Sequence, residues 1–164
     1  MRSIRNGSIA TVARDRRFSL DSNILVYAVN GAAGAKHEIA QRLIVAAGRV
    51  DCVLTLQAVS EFYWVASRKR IVPPGLAAER ANDWMTAFRC VPASESAIRA
   101  ALPHAVAGRA AYWDALLTAT AAEAGCNLLL TEDMHDGAFL SGVQIHNPLV
   151  GDNLSDLTRQ LLDL

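Results

Sequence analysis

Four carboxylates stand at four separate landmarks of this chain. Asp21 closes a short apolar run, Glu61 sits in a helix-like segment, Asp114 opens another, and Asp133 lies just past the apolar run 127–131. Oxygen-only donors, in a chain with 4 histidines and no CxxC pair, suit Mg2+ or Mn2+ better than Zn2+. Such ions keep waters and hold phosphates, so the chemistry expected of the set is phosphoryl transfer. In a two-ion version one metal activates a water and the other neutralises the leaving oxygen. The stretch "NLLLTEDMHDG" (127–137) states the question most sharply, because Glu132, Asp133, His135 and Asp136 crowd together where a buried strand would end. A single such acid is usually only a solvated charge. The combination is what points to a site.

The other chemistry-bearing residues carry less. His37-Glu38 is not HExxH, because position 41 is Gln. Ser22, Ser60 and Thr131 lack a G-x-S-x-G elbow, and "GAAGAK" is neither a P-loop nor a dinucleotide fingerprint. His135 reads as a surface residue and His146 as structural. Arg68, Lys69 and Arg70 lie about two turns beyond Glu61 and form a candidate grip on RNA phosphates, with a solvated helix end as the equal alternative. Trp64 is apolar where the core stripe of its helix does not need it, which suits a partner interface or a second core layer.

The elements that must position the acids alternate along the chain. Strand-like runs at 17–21, 52–55, 90–92, 127–131 and 143–148 are separated by helical patterns at 22–30, 36–48, 56–69, 76–88, 94–107 and 113–124. Core faces are expected from Ile39, Leu43 and Ala47; from Val59, Phe62, Tyr63 and Ala66; from Ala77, Ala81, Trp84, Met85 and Phe88; and from Trp113, Leu116, Leu117, Thr120 and Ala124. Ser22 is the expected N-cap of the first helix, Pro103 an expected bend, and Gly125 a helix end. The alternation predicts a three-layer α/β/α sandwich with a central parallel sheet. Ligands of such sheets gather outside the carboxyl ends of the strands, where Asp21 and Asp133 fall. Glu61 lies about 200° around its helix from Val59, and Asp114 about 100° from Trp113, so neither joins a core stripe.

Composition bounds the answer. At 164 residues, 52% hydrophobic and 20% charged, the chain reads as one globular domain with a real core. The net charge is +0, but residues 1–17 carry +4 and the remainder −4. We divide the chain into a basic extension at 1–16, expected to fray, with RNA binding as the alternative use of its charge; a nuclease-like domain at 17–150; and a C-terminal extension at 151–164 with room for a short helix. Cys52, Cys90 and Cys126 are expected as buried free thiols in a reducing, cytoplasmic compartment. There is no signal-peptide apolar region and no 18-residue apolar run, so neither export nor membrane insertion is expected.

The segments "SLDSNILVYA", "AVSEFYWVASRK", "YWDALLTATAAEAGCNLLLTEDMHDG" and "VQIHNP" resemble, in order and spacing, the PIN-domain ribonucleases, and most of all the VapC toxins of VapBC toxin–antitoxin modules. The likeness spans about residues 17 to 148. It implies a PIN-like fold and a Mg2+- or Mn2+-dependent endoribonuclease acting on single-stranded or looped RNA. It also implies a VapB-like antitoxin as partner, and a homodimer. By motif position it implies Asp21, Glu61, Asp114 and Asp133 as the catalytic acids, with Asp21, Asp114 and Asp133 chiefly holding metal. Asn23 resembles the polar residue beside the first acid, Thr131 the hydroxyl that orients the last, and Asp136 a candidate outer-shell acid. Glu132 is read as a solvated neighbour. The alternatives are a housekeeping RNA-processing nuclease of the same family and a phosphotransfer or signalling domain, which needs a lysine close to a strand end; Lys36 and Lys69 are the only lysines.

Overall fold

The computed structural model describes residues 16–164, so the basic segment 1–15 lies outside the described residues. The order of elements is β1 (Phe18–Leu20), α1 (Ser22–Val29), a short 3-10 turn (Gly31–Ala33), α2 (Ala35–Ala47), β2 (Cys52–Thr55), α3 (Leu56–Arg68), α4 (Pro74–Ala87), β3 (Arg89–Val91), α5 (Glu95–Val106), α6 (Tyr112–Glu123), β4 (Leu128–Leu130), β5 (Phe139–Leu140), β6 (Val143–His146), β7 (Leu149–Val150), β8 (Asn153–Leu154) and α7 (Asp156–Leu162). Six strands form one sheet in the order β3-β2-β1-β4-β6-β5. Every pairing is parallel except the β5–β6 hairpin. The expected α/β/α sandwich with a central parallel sheet is therefore present.

The strands are short, and β1 and β4 are buried throughout, which is why they read as continuous apolar runs without alternation. Phe18, Leu20, Leu128, Leu130 and Ile145 join Leu43, Phe62 and Trp84 in the main core, under α1 to α4. Phe62 and Trp84 meet edge to face at 4.6 Å between ring centroids, locking α3 to α4. The opposite face is covered by α6, whose Ala121 packs with Val53 of β2. Helix α5 lies against α6 through small residues, Ala97 and Ala101 on one side and Ala115 and Ala119 on the other. Beyond position 150, Leu154, Leu161 and Leu162 are buried in the main core.

Strand order reverses between β1 and β4, and the crevice outside their carboxyl ends is where an open sheet of this kind presents a site. Register fixes that edge. Leu20 pairs with Leu130, and the backbone N–H of Asp21 then donates to Leu130 O at 3.0 Å. The chain leaves β1 and β4 at one level, so Asp21 and the 131–133 segment emerge side by side.

Several expectations need correction. The N-cap of α1 is Asp21, not Ser22: its carboxylate accepts from the Ser22 N–H at 2.6 Å. Pro103 does not interrupt α5; it sits in the last turn, where the lost N–H costs a single bond, and Ala107 N still reaches Pro103 O. Tyr63, Met85 and Trp113 are on the solvent side of their stripes, at 41%, 40% and 61% exposure. Periodicity finds a stripe, but the width actually covered depends on the neighbouring element. Cys52 and Cys126 are buried, yet Cys90 on edge strand β3 is only half-buried. Helix α6 does end at Gly125, whose φ of +83° suits glycine, and a Cβ there would meet the Arg17 guanidinium at 3.0 Å. Among the described residues no helix is long and apolar enough to cross a membrane.

Candidate active site

The first acid is the most constrained. Asp21 is 5% exposed and anchors the start of α1. Its Oδ1 accepts from Ser22 N at 2.6 Å, and its Oδ2 from the Thr131 hydroxyl at 2.7 Å and from Asn23 Nδ2 at 3.4 Å. Burial pushes its carboxyl up to about 6. The Thr131 and Ser22 hydrogen bonds oppose the rise, and the Glu61 and Asp133 charges add to it.

Thr131 is the hub of the crevice. Besides donating to Asp21, its oxygen accepts from Asn23 Nδ2 and from the Asp133 N–H, each at 3.1 Å. The Asn23 amide also donates to Asp133 Oδ2 at 3.0 Å, tying the loop after β4 to the start of α1. Asp133 is exposed.

Glu61 approaches from α3. Its Oε2 accepts from the Ser22 hydroxyl at 3.2 Å and its Oε1 from Gln57 Nε2 at 2.9 Å, one helical turn earlier. Gln57 also donates to Trp113 O at 2.9 Å, which joins α3 to the start of α6. Asp114 lies in the first turn of α6, where a helix N-terminus favours negative charge. Its carboxyl is nonetheless raised, first by burial and then by the Asp133 and Glu61 charges. Asp21, Glu61, Asp114 and Asp133 thus share one electrostatic neighbourhood. None has an ion-pair partner among the described residues.

The carboxylates meet through neutral donors and not in direct contact: among the described residues, no three His, Cys, Asp or Glu side chains form a ready-made ligand cage. A Mg2+-type ion does not require one, since it is usually held by one or two carboxylates together with water and phosphate. Two further observations favour such an ion. The Asn23 and Gln57 amide nitrogens are both spent on acceptors, which fixes their orientation and leaves Asn23 Oδ1 and Gln57 Oε1 buried with no partner. Hard oxygens without a donor, beside uncompensated carboxylates, are suited to a hydrated hard cation.

The remaining named residues are elsewhere. Asp136 turns away from the crevice, its Oδ1 accepting from Asn147 N at 2.8 Å and contacting His146 Nδ1 at 3.0 Å. Arg68, Lys69 and Arg70 are exposed at the end of α3, with the Arg68 guanidinium 5.1 Å from the Trp64 ring. Glu132 is not a solvated neighbour. Its side chain is 16% exposed, accepts two bonds from Lys36 Nζ at 2.9 and 3.0 Å, and accepts the Tyr27 hydroxyl. Lys36 is thereby committed to Glu132, not to any of the four acids.

Sequence reasoning overlooked Ser22 as the partner of Glu61 and Gln57 as its brace. The i, i+4 spacing of Gln57 and Glu61 was an available signal for the second. The Tyr27–Lys36–Glu132 cluster joins positions about a hundred residues apart and had none.

Two cavities flank the crevice. One, of about 290 Å3, is bounded by Asp114 and Asp133 together with His104, Arg109 and residues of the β5–β6 hairpin. The other, about 830 Å3, is an open apolar groove between α3 and α6, lined by Glu61, Trp64, Val65, Pro92 and Trp113.

The profile of the PIN domain family matches residues 9–135. Among solved structures, the chain is similar to VapC20 of Mycobacterium tuberculosis, described as a toxin that cleaves the sarcin–ricin loop. The identity is 18% and the TM-score 0.58, over 71% of this chain and 91% of that one. It is also similar to VapBC2 from Rickettsia felis bound to a DNA fragment from their promoter, at 13% identity and TM-score 0.59, over 79% of this chain and 97% of that one. At these identities the likeness is one of fold. No curated protein matches.

Proposed function

The chain belongs to the PIN domain family, and from that premise we propose that it is a Mg2+- or Mn2+-dependent endoribonuclease, the toxin of a type II toxin–antitoxin module. The observation that carries the reading is the gathering of Asp21, Glu61, Asp114 and Asp133 around the carboxyl ends of β1 and β4 with no counter-cation among the described residues. Asp21, Asp114 and Asp133 hold the ion in this proposal. An ion held there would supply Lewis acidity toward a phosphodiester oxygen and would offset charge on the leaving oxygen. Glu61, braced by Ser22 and Gln57, holds metal or orients the attacking water and takes up its proton. Thr131 and Asn23 keep Asp21 and Asp133 in register. In-line attack then leaves 5′-phosphate and 3′-hydroxyl ends.

With an RNA substrate we also infer a cytoplasmic location. For partners, we infer a homodimer and a VapB-like antitoxin. VapBC2, similar in fold, is described as bound to a DNA fragment from its promoter, and the groove beside Glu61 exposes Trp64 and Trp113 at 59% and 61%. Exposed aromatics on an apolar groove mark protein contact sites. Arg68, Lys69 and Arg70 are proposed to hold RNA phosphates at the end of the same helix.

The test is cleavage of a labelled RNA by purified protein with Mg2+ or Mn2+, against excess chelator and against Asp21→Asn and Asp114→Asn. Metal-dependent cutting, lost in both variants, is expected. Equal cutting in chelator would overturn the proposal.

A further inference from the structure

The cavity of about 290 Å3 beside Asp114 and Asp133 has a composition that the acidic site does not explain. Its floor includes Leu140 and Ile145, both buried, and its edge includes Phe139, an aromatic ring 70% exposed. Arg109 also lines it. Gly108, at φ +65°, ends α5 in the left-handed region, and Arg109 N then bonds back to His104 O at 3.0 Å. The turn therefore fixes the Arg109 backbone five residues before Asp114. The Arg109 side chain has no ion-pair or hydrogen-bond partner among the described residues, although two carboxylates share its cavity. His104 forms part of the wall, and its Nδ1 is buried without a partner.

A free guanidinium, an exposed aromatic face and a small apolar floor, together against the acids, match the parts of one nucleotide. The volume is near the lower end of the roughly 300–1,000 Å3 typical of small-molecule sites, which admits one unstacked base and excludes a duplex. We propose that this cavity is a single-nucleotide subsite: it seats the base on one side of the scissile phosphate, with Phe139 stacked on that base and Arg109 on the adjoining phosphate. The inference rests on the nuclease reading and adds to it where base selectivity would be set.

Two measurements separate the subsite from that reading. The first is cleavage of a randomised single-stranded RNA, with the cut positions sequenced. Arg109→Ala should raise KM about tenfold with kcat within about twofold, Arg109→Lys should recover part of the loss, and Phe139→Ala should flatten base preference at one position next to the cut. Wild-type KM and unchanged preference in Arg109→Ala and Phe139→Ala, with the wild-type protein cutting, would overturn the subsite and leave the nuclease standing. The second is titration of the full chain with AMP, GMP, CMP and UMP, followed by the ring resonances of His104 and Phe139. If the wild-type protein does not cut at all, binding weakened about tenfold by Arg109→Ala keeps the cavity as a nucleotide site, and no binding removes it. Loss of a protein partner in Phe139→Ala, with both nucleotide readouts unchanged, would reassign the cavity to protein contact and also overturn the proposal.

Discussion

The Thr131 hydroxyl donates to Asp21 Oδ2 at 2.7 Å, linking two residues 110 positions apart across the switch point of the sheet. The same oxygen accepts from Asn23 and from the Asp133 backbone, so one side chain sets the spacing between the first and last acids. Thr131→Val keeps the shape, removes all three bonds, and leaves Asp21 buried with one donor fewer. We expect it to destabilise the fold by about 1–3 kcal/mol and to cut activity at least tenfold, with Thr131→Ser near wild type in both. Urea denaturation beside a cleavage assay checks this. Equal effects of Val and Ser would mean that packing, not the hydroxyl, matters here.

Burial of Asp21 also makes the fold pH-dependent. Its carboxyl is raised to about 6 from an ordinary value of 3.8, so the metal-free folded state binds this proton more tightly than the unfolded chain does. The group therefore favours folding below about pH 4, and that contribution is lost as pH rises through about 6, a swing of up to about 3 kcal/mol. Asp21→Asn should accordingly raise the melting temperature of metal-free protein at pH 7.5 while abolishing cleavage. An Asn variant that is less stable at pH 7.5 and equally stable at pH 4 would contradict this sign.

Added Mg2+ or Mn2+ should act in the opposite direction. A cation that binds only the folded state stabilises by RT ln(1 + [L]/Kd), about 2.7 kcal/mol at a hundredfold excess over Kd. Melting temperature should rise with Mg2+ or Mn2+ in wild type and stay flat in Asp21→Asn and Asp114→Asn. A shift of the same size in all three proteins would place the ion elsewhere.

Much of this fold was legible because its strands are apolar runs bounded by breaks and most of its longer helices carry stripes, although α6 is buried at every position from Ala115 to Ala121. What escaped has physical causes. Strand β5 is two residues long and exists only through pairing with β6, so no local signal announces it. Tyr63, Met85 and Trp113 sit at the margins of stripes whose covered width is set by other elements. Asp21 and Asp133 stand at the strand ends where the sequence places them, whereas Asp136 lies only three residues past Asp133 and is drawn off by Asn147 and His146. Glu132 looked solvated because its cation, Lys36, is ninety-six positions away.

The groove between α3 and α6 gives a test of assembly. Trp64 is 59% exposed over an apolar floor, and truncation of a buried aromatic anchor typically costs an interface 2 kcal/mol or more. Light scattering should report a dimer for wild type, with Trp64→Ala shifted toward monomer or deprived of antitoxin binding. A strictly monomeric wild type that binds no antitoxin would leave this groove without the role assigned to it.

The last prediction separates the three acids of "TEDMHDG" by what each one touches. Asp133 faces Asn23 and shares the field of Asp21 and Asp114, so Asp133→Ala should lower kcat by orders of magnitude at fixed Mg2+ with little change in stability. Glu132 has no contact with those acids, but with Lys36 and Tyr27 it pins the backbone that carries Asp133. Glu132→Ala should therefore cost about 1 kcal/mol of stability and a severalfold loss of activity, and Glu132→Gln, which still accepts from Lys36 and Tyr27, should recover part of both. Asp136 caps the Asn147 N–H at the far end of the hairpin, so Asp136→Ala should affect stability alone. The expected activity order is Asp136→Ala, then Glu132→Ala, then Asp133→Ala as the lowest. An inactive Asp136→Ala protein of normal stability would show that this carboxylate swings into the crevice, and the register drawn for the site would have to move three residues along the loop.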